Sequence, residues 1–397
     1  MEALTYLQAL AAVTQRVRPL AETETVPLLD AAGRILSVDV AADRDYPPAP
    51  RSIRDGYAVR AADLSGDLPG SLQVIGEVRA GTSFPGQVGP NQCVEIMTGA
   101  PMPPGADAVV MVEHATLSGG IMTTTRQPRG GENWTPAGCD AKAGDIVLHR
   151  GTRLGFNHIA MLATVGCAQV NVYRQPRVAI LATGDEVVPV ESTPTLEQVR
   201  NSNSYSVAAQ VRQAGGLPTV LPVAKDNLDD TRRLIAEGLT FDLLLLSGGV
   251  SAGKYDLVEI VLAEFGAEFF FTRVKMQPGQ PLVFGQAKGK FFFGLPGNPA
   301  STMVTFAVVA SAAVALLGGQ TDPTPQLYPA VLQSELRLKP GLTRFLPGSL
   351  RGGSVFPTKY SGSGDVPALA QANVFIVTDP DRDVYLPGEE IQVLPLT

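Results

Sequence analysis

The chain has 397 residues, of which 45% are hydrophobic and 17% charged, and its formal net charge is −7. Its length predicts roughly two to four domains, and its composition is that of an ordinary globular protein with ample core. The acidic balance argues against a nucleic-acid partner, which would require a basic face. Any anionic ligand must therefore be held by local donors, against an unfavourable overall field.

Cysteine usage and hydropathy predict a cytoplasmic protein without a membrane partner. Cys93, Cys139 and Cys167 are odd in number and widely spaced, which favours structural thiols in a reducing compartment. The first residues lack a basic segment followed by an apolar one, so no secretory signal is expected. The uncharged stretch 303–317 is shorter than the ~20 residues that a membrane span requires. It predicts a buried helix.

The first half of the chain predicts one helix and a region rich in strands. Residues 5–17 predict an amphipathic helix whose apolar face comprises Leu7, Leu10, Val13 and Val17. From about residue 43 to 140, short alternating runs such as 72–75 and 108–112 are separated by Gly and Pro, as in a small β domain. Residues 145–175 predict mixed structure.

The second half predicts an α/β unit followed by more strands. Residues 176–320 combine apolar strands with predicted helices at 204–213, 228–238, 255–264 and 300–317. From about residue 327 onward strand-like runs dominate again, including 374–377 and 390–394.

Three strand-to-loop junctions are the most informative feature of the α/β unit. Apolar runs at 178–181, 243–246 and 291–293 are each followed at once by glycine together with Ser, Thr or Asn. Short runs that are apolar on both faces are typical of central strands in a parallel sheet, and glycine lets a ligand approach the backbone closely. We call the segments that follow the first loop (residues 182–186), the second loop (247–251) and the third loop (294–301).

These loops predict an anion-binding crevice, for phosphate. In open α/β sheets, ligands lie at the carboxyl ends of the strands, against backbone N–H groups and helix N-termini. One such loop alone would be weak evidence, and turn chemistry alone stays an alternative for each of them.

Carboxylates follow two of these strands. Asp185 and Glu186 come directly after the first strand, and Asp256 lies five residues after Ser251. A carboxylate facing a phosphate is repulsive unless a cation lies between them, and Mg²⁺ takes protein carboxylates together with phosphate oxygens and waters. We therefore predict Asp185, Glu186 and Asp256 as metal ligands. The alternatives are a turn aspartate for Asp185, a first-turn helix acid for Glu186 and a helix N-cap for Asp256.

Five motifs resemble one family. Residues 183–186 (TGDE), 247–251 (SGGVS) and 294–299 (GLPGNP) resemble the molybdopterin-binding domain of molybdenum cofactor biosynthesis proteins. Residues 52–58 (SIRDGYA) and 96–107 (IMTGAPMPPGAD) resemble the second domain of molybdopterin molybdotransferases, the MoeA family, to which the gephyrin E-domain also belongs. The resemblance runs over nearly the whole chain, in the family's motif order.

The resemblance implies an α/β multidomain fold and an elongated homodimer. The implied domains are a discontinuous N-terminal domain (1–42 and 141–175), a small β-rich domain (43–140), a three-layer α/β molybdopterin-binding domain with a mostly parallel sheet (176–322) and a C-terminal β domain (323–397). The β-rich domain would close over the crevice from the dimer partner.

The resemblance also implies the roles of individual residues. The positions that match the family's catalytic residues are Asp55, Thr98, Asp140, Glu186 and Asp256. The positions expected to bind the pterin substrate are Thr183, Gly184, Ser247, Gly248, Gly249, Ser251, Gly294, Pro296, Gly297, Asn298, Pro299 and Ser301. From the residues alone, Asp55-Gly56 could equally be a simple turn.

The implied reaction inserts molybdenum from molybdate into adenylylated molybdopterin and releases AMP with the help of Mg²⁺. Phosphoryl chemistry needs positioning and charge neutralisation more than covalent participation by the protein. In agreement, His114, His149 and His158 all lie outside the 176–322 domain. The implied partners are a second copy of the chain, the adenylyltransferase that makes the substrate and downstream molybdoenzyme maturation proteins.

The sequence departs from the family at the expected oxyanion site. Gln277 and Gln280 stand where the family usually carries lysine at one or both positions, and each exchange predicts a loss of about 1–2 kcal/mol. Arg344 and Ser363 match other positions of that site, and Arg344 could restore some of the positive charge. Residues 135–137 (TPA) also replace a run that usually carries arginine.

Three alternatives follow from these departures and from the domain itself. The altered oxyanion site is compatible with a tungstate-preferring paralogue or with a non-catalytic pterin-binding scaffold. Relatives of the α/β domain also include nucleotide pyrophosphatases, although the two N-terminal motifs and the C-terminal strands argue against that activity.

Overall fold

The computed structural model describes residues 2–248 and 257–396, and within them the chain forms two compact units. Unit 1 comprises Met1–Ser37, Gly151–Gly155 and Gln169–Thr397, and unit 2 comprises Val38–Arg150 and Phe156–Ala168. The four domain boundaries stay a prediction.

The centre of unit 1 is a six-stranded, mostly parallel sheet. Its strand order is Leu217–Val220, Arg177–Ala182, Leu243–Ser247, Lys290–Leu295, Val283–Ala287 and Glu268–Phe271. The first four strands are parallel, whereas the last two run antiparallel to their neighbours. The three apolar runs singled out in the sequence are therefore adjacent parallel strands, as predicted.

Helices cover both faces of this sheet. Within the described residues they are Ser202–Gln213, Leu228–Gly238, Leu257–Glu264 and the helical stretch Pro299–Leu317, which includes a π-helical turn at Phe306–Ala310. Leu243 and Leu245 pack into one core cluster, whereas Leu244 and Leu246 pack into another. Alternate residues of one strand thus pack into cores on opposite faces of the sheet. The sheet with helices on both faces forms the predicted three layers.

The helical stretch Pro299–Leu317 is long and apolar enough to cross a membrane, with a mean hydropathy of 2.0 in its most apolar window. However, 78% of that window is buried inside the protein. A buried helix was predicted here, and its apolar composition is explained by the core that surrounds it.

The N-terminal helix Tyr6–Arg16 begins with a capping box, in which Thr5 and Gln8 each accept the other's backbone N–H. Its buried face is Tyr6, Ala9, Leu10 and Val13. Leu7 was wrongly predicted on that face, since it is 67% exposed. The apolar stripe runs 6, 10, 13 and 17, and Leu7 lies one residue, about 100°, away from it.

The rest of unit 1 consists mainly of strands. Thr23–Pro27 pairs with Gln169–Tyr173. A second six-stranded sheet has the order Met276–Gln277, Thr343–Arg351, Ser354–Pro357, Tyr328–Leu332, Glu390–Pro395 and Val374–Val377. Smaller elements are the pairs Val187–Val188 with Val199–Arg200 and Leu336–Arg337 with Val384–Tyr385, the 3-10 turn Leu28–Ala31 and the short helix Val366–Ala370. The predicted runs 374–377 and 390–394 lie in observed strands.

Unit 2 is built on a six-stranded sheet with the order Ala108–Met111, Gly56–Val59, Gln92–Ile96, Gly70–Val78, Ile121–Thr124 and Ala115–Ser118. Two short pairs, Arg51–Ser52 with Trp134–Thr135 and Val40–Ala41 with Ile146–Leu148, join it, together with helix Phe156–Thr164 and the 3-10 turns Ala61–Leu64 and Val112–His114. Cys93 is a free, buried thiol in its core, and burial raises the pKa of that thiol to about 12. The predicted runs 72–75 and 108–111 lie in these strands, whereas Val112 begins a 3-10 turn.

Candidate functional site

All three loops contribute to one crevice at the carboxyl ends of the parallel strands. Its volume is about 690 Å³. Each loop supplies lining residues: Thr183 and Glu186 from the first, Ser247 and Gly248 from the second, and Pro296, Gly297, Asn298 and Pro299 from the third. Parallel strands end at the same edge of their sheet, which is why loops far apart in sequence meet here.

The second loop leaves its strand through a turn that only glycine fits. Gly248 has a φ of +91°, and a Cβ at this position would lie 2.9 Å from the carbonyl oxygen of Thr183. The first loop is held against the second because the N–H of Thr183 donates to the carbonyl of Ser247 at 3.1 Å. Gly248 thus keeps the floor of the crevice free of side chains.

Two helices begin at the crevice. Asn201 caps helix Ser202–Gln213 by accepting the N–H of Ser204 at 3.1 Å, and Pro299 is the first residue of the helical stretch that follows the third loop. Asn201, Ser202, Asn298 and Pro299 all line the crevice. Helix N-termini present unpaired N–H groups and a positive dipole end, so both favour an anion.

Asn203 was not predicted from the sequence, although it connects two of the loops. Its amide nitrogen donates to Ser247 Oγ at 3.0 Å and to the carbonyl of Gly297 at 2.7 Å. The segment 200–203 also brings Arg200 to the crevice wall. The only sequence signal was an Asn-Ser-Asn cap just before the predicted helix at 204–213.

The two acids of the first loop differ in their surroundings. The Asp185 carboxylate accepts the N–H of Asp226 at 3.2 Å, and the Asp226 carboxylate accepts the N–H of Asp185 at 3.3 Å. Glu186 instead lines the crevice, and its carboxylate has no hydrogen bond or ion pair with any described residue. The turn role left open for Asp185 is therefore present in the structure. Glu186 is the freer carboxylate.

Other predicted substrate residues lie near the crevice without lining it. Gly184 has a φ of +129°, and a Cβ on it would lie 2.5 Å from the Glu186 carboxylate. Gly294 lies inside the strand Lys290–Leu295, and Ser301 is buried in the first turn of the helix that follows. Gly249, Ser251 and Asp256 lie outside the described residues.

Arg344 and Gln277, two of the residues predicted at the oxyanion site, lie next to each other. They are opposite each other in paired parallel strands, and Arg344 Nε donates to Gln277 Oε1 at 2.9 Å. Arg344 is only 8% exposed, yet no carboxylate among the described residues lies within 4.0 Å of its guanidinium nitrogens. A nearly buried guanidinium without a counter-ion is costly unless an anion joins it.

The other two oxyanion candidates are placed by their backbones. The carbonyl of Gln280 accepts the N–H of Val274 at 2.9 Å, while its side chain is exposed. The carbonyl of Ser363 accepts the N–H of Ala300 at 2.9 Å, next to the third loop. Their neighbours Pro281 and Gly364 line the crevice.

In unit 2, the Asp55 carboxylate is hydrogen-bonded to Thr98. Asp55 Oδ1 accepts the N–H of Thr98 at 2.6 Å and its hydroxyl at 2.8 Å. These backbone and side-chain hydrogen bonds from Thr98 lower the pKa of Asp55. Gly56, the next residue, cannot carry a side chain because a Cβ would lie 2.0 Å from the carbonyl oxygen of Val110. Residues 53–55 form a bend before the strand Gly56–Val59, and the hydrogen bonds from Thr98 orient the Asp55 carboxylate and favour its ionised form.

Asp140 lies in a separate cavity of unit 2 with a volume of about 750 Å³. Arg51 Nη2 is 3.4 Å from its carboxylate, and both residues line that cavity. Arg51 is also paired across two strands with Thr135. An arginine thus reaches Asp140 from the strand opposite the run 135–137, where the family's arginine is missing.

The fold and the site together define a multidomain α/β protein whose polar crevice lies at the carboxyl edge of a parallel sheet. Family models match the chain in three consecutive regions. Residues 4–166 match the MoeA N-terminal region (domain I and II), residues 179–315 a probable molybdopterin binding domain, and residues 329–396 the MoeA C-terminal region (domain IV).

Two relatives and one solved structure match this chain over nearly its full length. The chain is 36% identical over 385 residues to a molybdopterin molybdenumtransferase of Bacillus subtilis, with 94% of this chain and 90% of that protein covered. A Staphylococcus epidermidis protein with the same name is 34% identical over 377 residues, covering 93% and 90%. A molybdopterin biosynthesis moeA protein from Pyrococcus horikoshii OT3 has a TM-score of 0.85 at 27% identity, covering 99% and 100%. The chain belongs to the MoeA family, as its motifs predicted.

Proposed function

We propose that this protein is a molybdopterin molybdenumtransferase, which inserts molybdenum from molybdate into adenylylated molybdopterin and releases AMP. The observation that carries the proposal is the meeting of three glycine loops and two helix N-termini at one crevice, in a chain of the MoeA family. Curated relatives that span nearly the whole chain have this name.

The crevice has the donors that a phosphate requires. A phosphate group accepts hydrogen bonds and donates few, so its site must offer N–H and O–H groups. The loop backbones, the helix N-termini and the Ser247 hydroxyl supply them, and Arg200 adds one positive charge at the wall. These local groups compensate for the net charge of −7.

Carboxylates at the crevice fit Mg²⁺, which prefers hard oxygen ligands at a few protein positions. Glu186 would hold the ion because its carboxylate is uncommitted and lines the crevice, and Asp256 is proposed as its companion. Asp185 fits less well, since Asp226 already occupies one of its oxygens. Bound Mg²⁺ would neutralise the phosphate charge that Glu186 otherwise repels.

Molybdate is proposed to bind beside Arg344. A lysine at position 277 could not accept the hydrogen bond that Gln277 receives from Arg344. Glutamine at position 277 therefore lacks the positive charge of a lysine, but it fixes the orientation of the Arg344 guanidinium. The site would hold a dianion through one oriented guanidinium and amide donors.

In unit 2, Asp55, Thr98 and Asp140 are proposed as catalytic residues, with Arg51 supplying the charge that the run 135–137 lacks. We propose the homodimer, the cytoplasmic location, the supplying adenylyltransferase and the downstream maturation proteins on the same grounds, from the family resemblance. A tungstate preference would be a property of the same site.

The test uses the purified full chain with adenylylated molybdopterin and Mg²⁺, and follows AMP release while molybdate or tungstate is titrated. Oxyanion-stimulated AMP release is the expected result. Binding of the pterin nucleotide without such release would support a scaffold instead. Hydrolysis of a free dinucleotide at a comparable rate would support a pyrophosphatase.

A second arm tests the oxyanion site with the Gln277→Lys and Gln280→Lys variants. Tighter oxyanion binding, about tenfold for each added charge, is expected at low salt. Gln277→Lys should also destabilise the empty protein because two cations then lie side by side. Unchanged oxyanion affinity in both variants would place molybdate elsewhere.

A further inference from the structure

Asn203 makes an unusual pair of contacts. It is the second residue of helix Ser202–Gln213, and its amide nitrogen donates one hydrogen to Ser247 Oγ and the other to the carbonyl of Gly297. The second and third loops, which both line the crevice, are thereby joined through a single side chain.

The Gly297 carbonyl fixes which end of the amide faces the loops. A carbonyl oxygen can only accept, so the group 2.7 Å from it must be the Asn203 nitrogen and not the oxygen. In this orientation Asn203 Oδ1 is buried without a hydrogen-bond partner. A buried acceptor without a partner is destabilising, and simple cohesion between loops does not require one.

The consequence falls on Ser247. A hydroxyl has one proton to donate, and Ser247 Oγ already accepts the hydrogen of Asn203. Its own proton must therefore point to another acceptor, and no described residue provides one at hydrogen-bonding distance. Ser247 is 4% exposed, and it lines the crevice.

We propose that Asn203 is a positioning residue that holds the Ser247 hydroxyl as a hydrogen-bond donor toward a phosphate oxygen of the ligand in the crevice. The inference rests on the proposed function for the class of ligand, a phosphate ester. It adds the residue that orients the donor and the direction of its proton. Without Asn203, no donor fixes the rotation of the Ser247 hydroxyl, so its proton is no longer directed toward the ligand.

The experiment is a double-mutant cycle on the full chain, with AMP as the probe in Mg²⁺-containing buffer. Asn203→Ala and Ser247→Ala should each weaken AMP binding about tenfold. The double variant should bind about as weakly as either single one, because both changes remove the same donated bond. Urea unfolding of each variant shows how much of any loss follows from stability.

A purely structural tie gives a different result. If Asn203 only joins the loops, its loss lowers the stability, and its effect on affinity adds to that of Ser247→Ala. Additive effects, or wild-type AMP affinity in either single variant, would overturn the proposal.

Asn203→Asp gives a second readout. Like Asn203→Ala it loses the hydrogen bond to the Gly297 carbonyl, so a larger loss of AMP affinity than in Asn203→Ala isolates the effect on the Ser247 proton. A carboxylate at this position would accept the Ser247 proton and turn the hydroxyl away from the ligand. Ser202→Asp is the matched control, since it adds the same charge at the crevice on the adjacent residue. Asn203→Asp should weaken AMP binding at least fivefold more than Ser202→Asp, and equal losses would contradict the proposal.

Failure of the proposed function is distinguishable from failure of this inference. If the wild-type protein shows no oxyanion-dependent AMP release, but Asn203→Ala and Ser247→Ala are non-additive in AMP binding, only the transferase function is contradicted. If the wild-type protein binds neither AMP nor the pterin nucleotide, the positioning role of Asn203 is contradicted.

Discussion

The two ends of the central parallel strands are opposites in their charge pairing. At the amino ends, Asp242 is 5% exposed and receives hydrogen bonds from Arg174 at 2.9 and 3.3 Å and from the backbone N–H of Arg177 at 2.7 Å. The Lys290 Nζ atom lies 3.9 Å from Asp242 Oδ1. At the carboxyl ends, Glu186 and Asn203 Oδ1 have no partner among the described residues.

The difference indicates that the amino ends of the strands stabilise the fold, whereas the carboxyl ends bind the ligand. At the amino end the polar groups satisfy one another, which stabilises the fold and leaves nothing for a ligand. At the carboxyl end, the exposed Glu186 carboxylate and the buried Asn203 Oδ1 have no partner among the described residues, which leaves both available to a ligand. Changes at the two ends should therefore affect different measurements.

The largest effect is expected from Asp242→Ala. Removing the carboxylate leaves Arg174 half-buried without its partner, and we expect a loss of about 3 kcal/mol in the free energy of unfolding. Urea denaturation measures this loss. Asp229→Ala, at an exposed ion pair, is the control and should change the stability by no more than about 0.5 kcal/mol.

The pH dependence of that loss has a definite sign. Burial alone would raise the pKa of Asp242, but the hydrogen bonds from Arg174 and Arg177 outweigh it and lower the pKa. A lowered pKa stabilises the fold above the unfolded-state value, near pH 4, and the contribution is lost as the pH falls through the folded-state value. The stability difference between wild type and Asp242→Ala should therefore shrink below about pH 4. A constant difference down to pH 2.5 would mean that the network is not ionic.

Glu186→Gln is expected to change activity without changing stability. Losing one metal-ligand carboxylate should lower Mg²⁺ affinity or the rate of AMP release about 10- to 100-fold, while the unfolding free energy stays within about 0.5 kcal/mol. Initial rates across a Mg²⁺ titration measure the effect. Glu197→Gln, an exposed acid outside the crevice lining, is the matched control. Equal activity of the two variants would end the metal-ligand assignment of Glu186.

The smallest effect is expected from Arg200→Ala. The side chain is exposed and donates to the carbonyl of Ser192 at 2.9 Å, so its attraction for a phosphate is screened and amounts to about 0.5–1 kcal/mol. We expect AMP binding two- to fivefold weaker at low salt, with the difference vanishing near 0.5 M salt. Arg212→Ala, in the last turn of helix Ser202–Gln213 and outside the crevice lining, should leave AMP affinity unchanged.

Local patterns predicted the frame of the crevice. Four consecutive leucines at 243–246 are apolar on both faces, and only a strand between two helical layers suits them. Three such strands then place their loops at one edge through the topology of parallel sheets, without any knowledge of long-range contacts.

Contacts between distant segments were not predictable in the same way. Ser247 and Gly297 were predicted from their loop motifs, but nothing in the local sequence indicates that Asn203 contacts both of them. Arg344 was predicted to be near Gln277 only through the family resemblance, since nothing in the sequence indicates that the two short strands pair. The prediction that Leu7 lies on the buried face was wrong because two overlapping apolar stripes fit the helical period. Packing against the rest of the core decides which of them is buried.

The long separation between pairing partners also determines the order in which unit 1 can fold. Strand Thr23–Pro27 pairs with Gln169–Tyr173, and helix Tyr6–Arg16 packs into the core with the buried helix Pro299–Leu317. At roughly 5–20 residues per second of synthesis, the strand waits roughly 7–30 s for its partner and the helix about twice as long. During that time Tyr6, Leu10 and Val13 form an apolar face without a partner, so the nascent chain offers an early binding site for a chaperone. The core that contains both helices can therefore form only after about four fifths of the chain has been made.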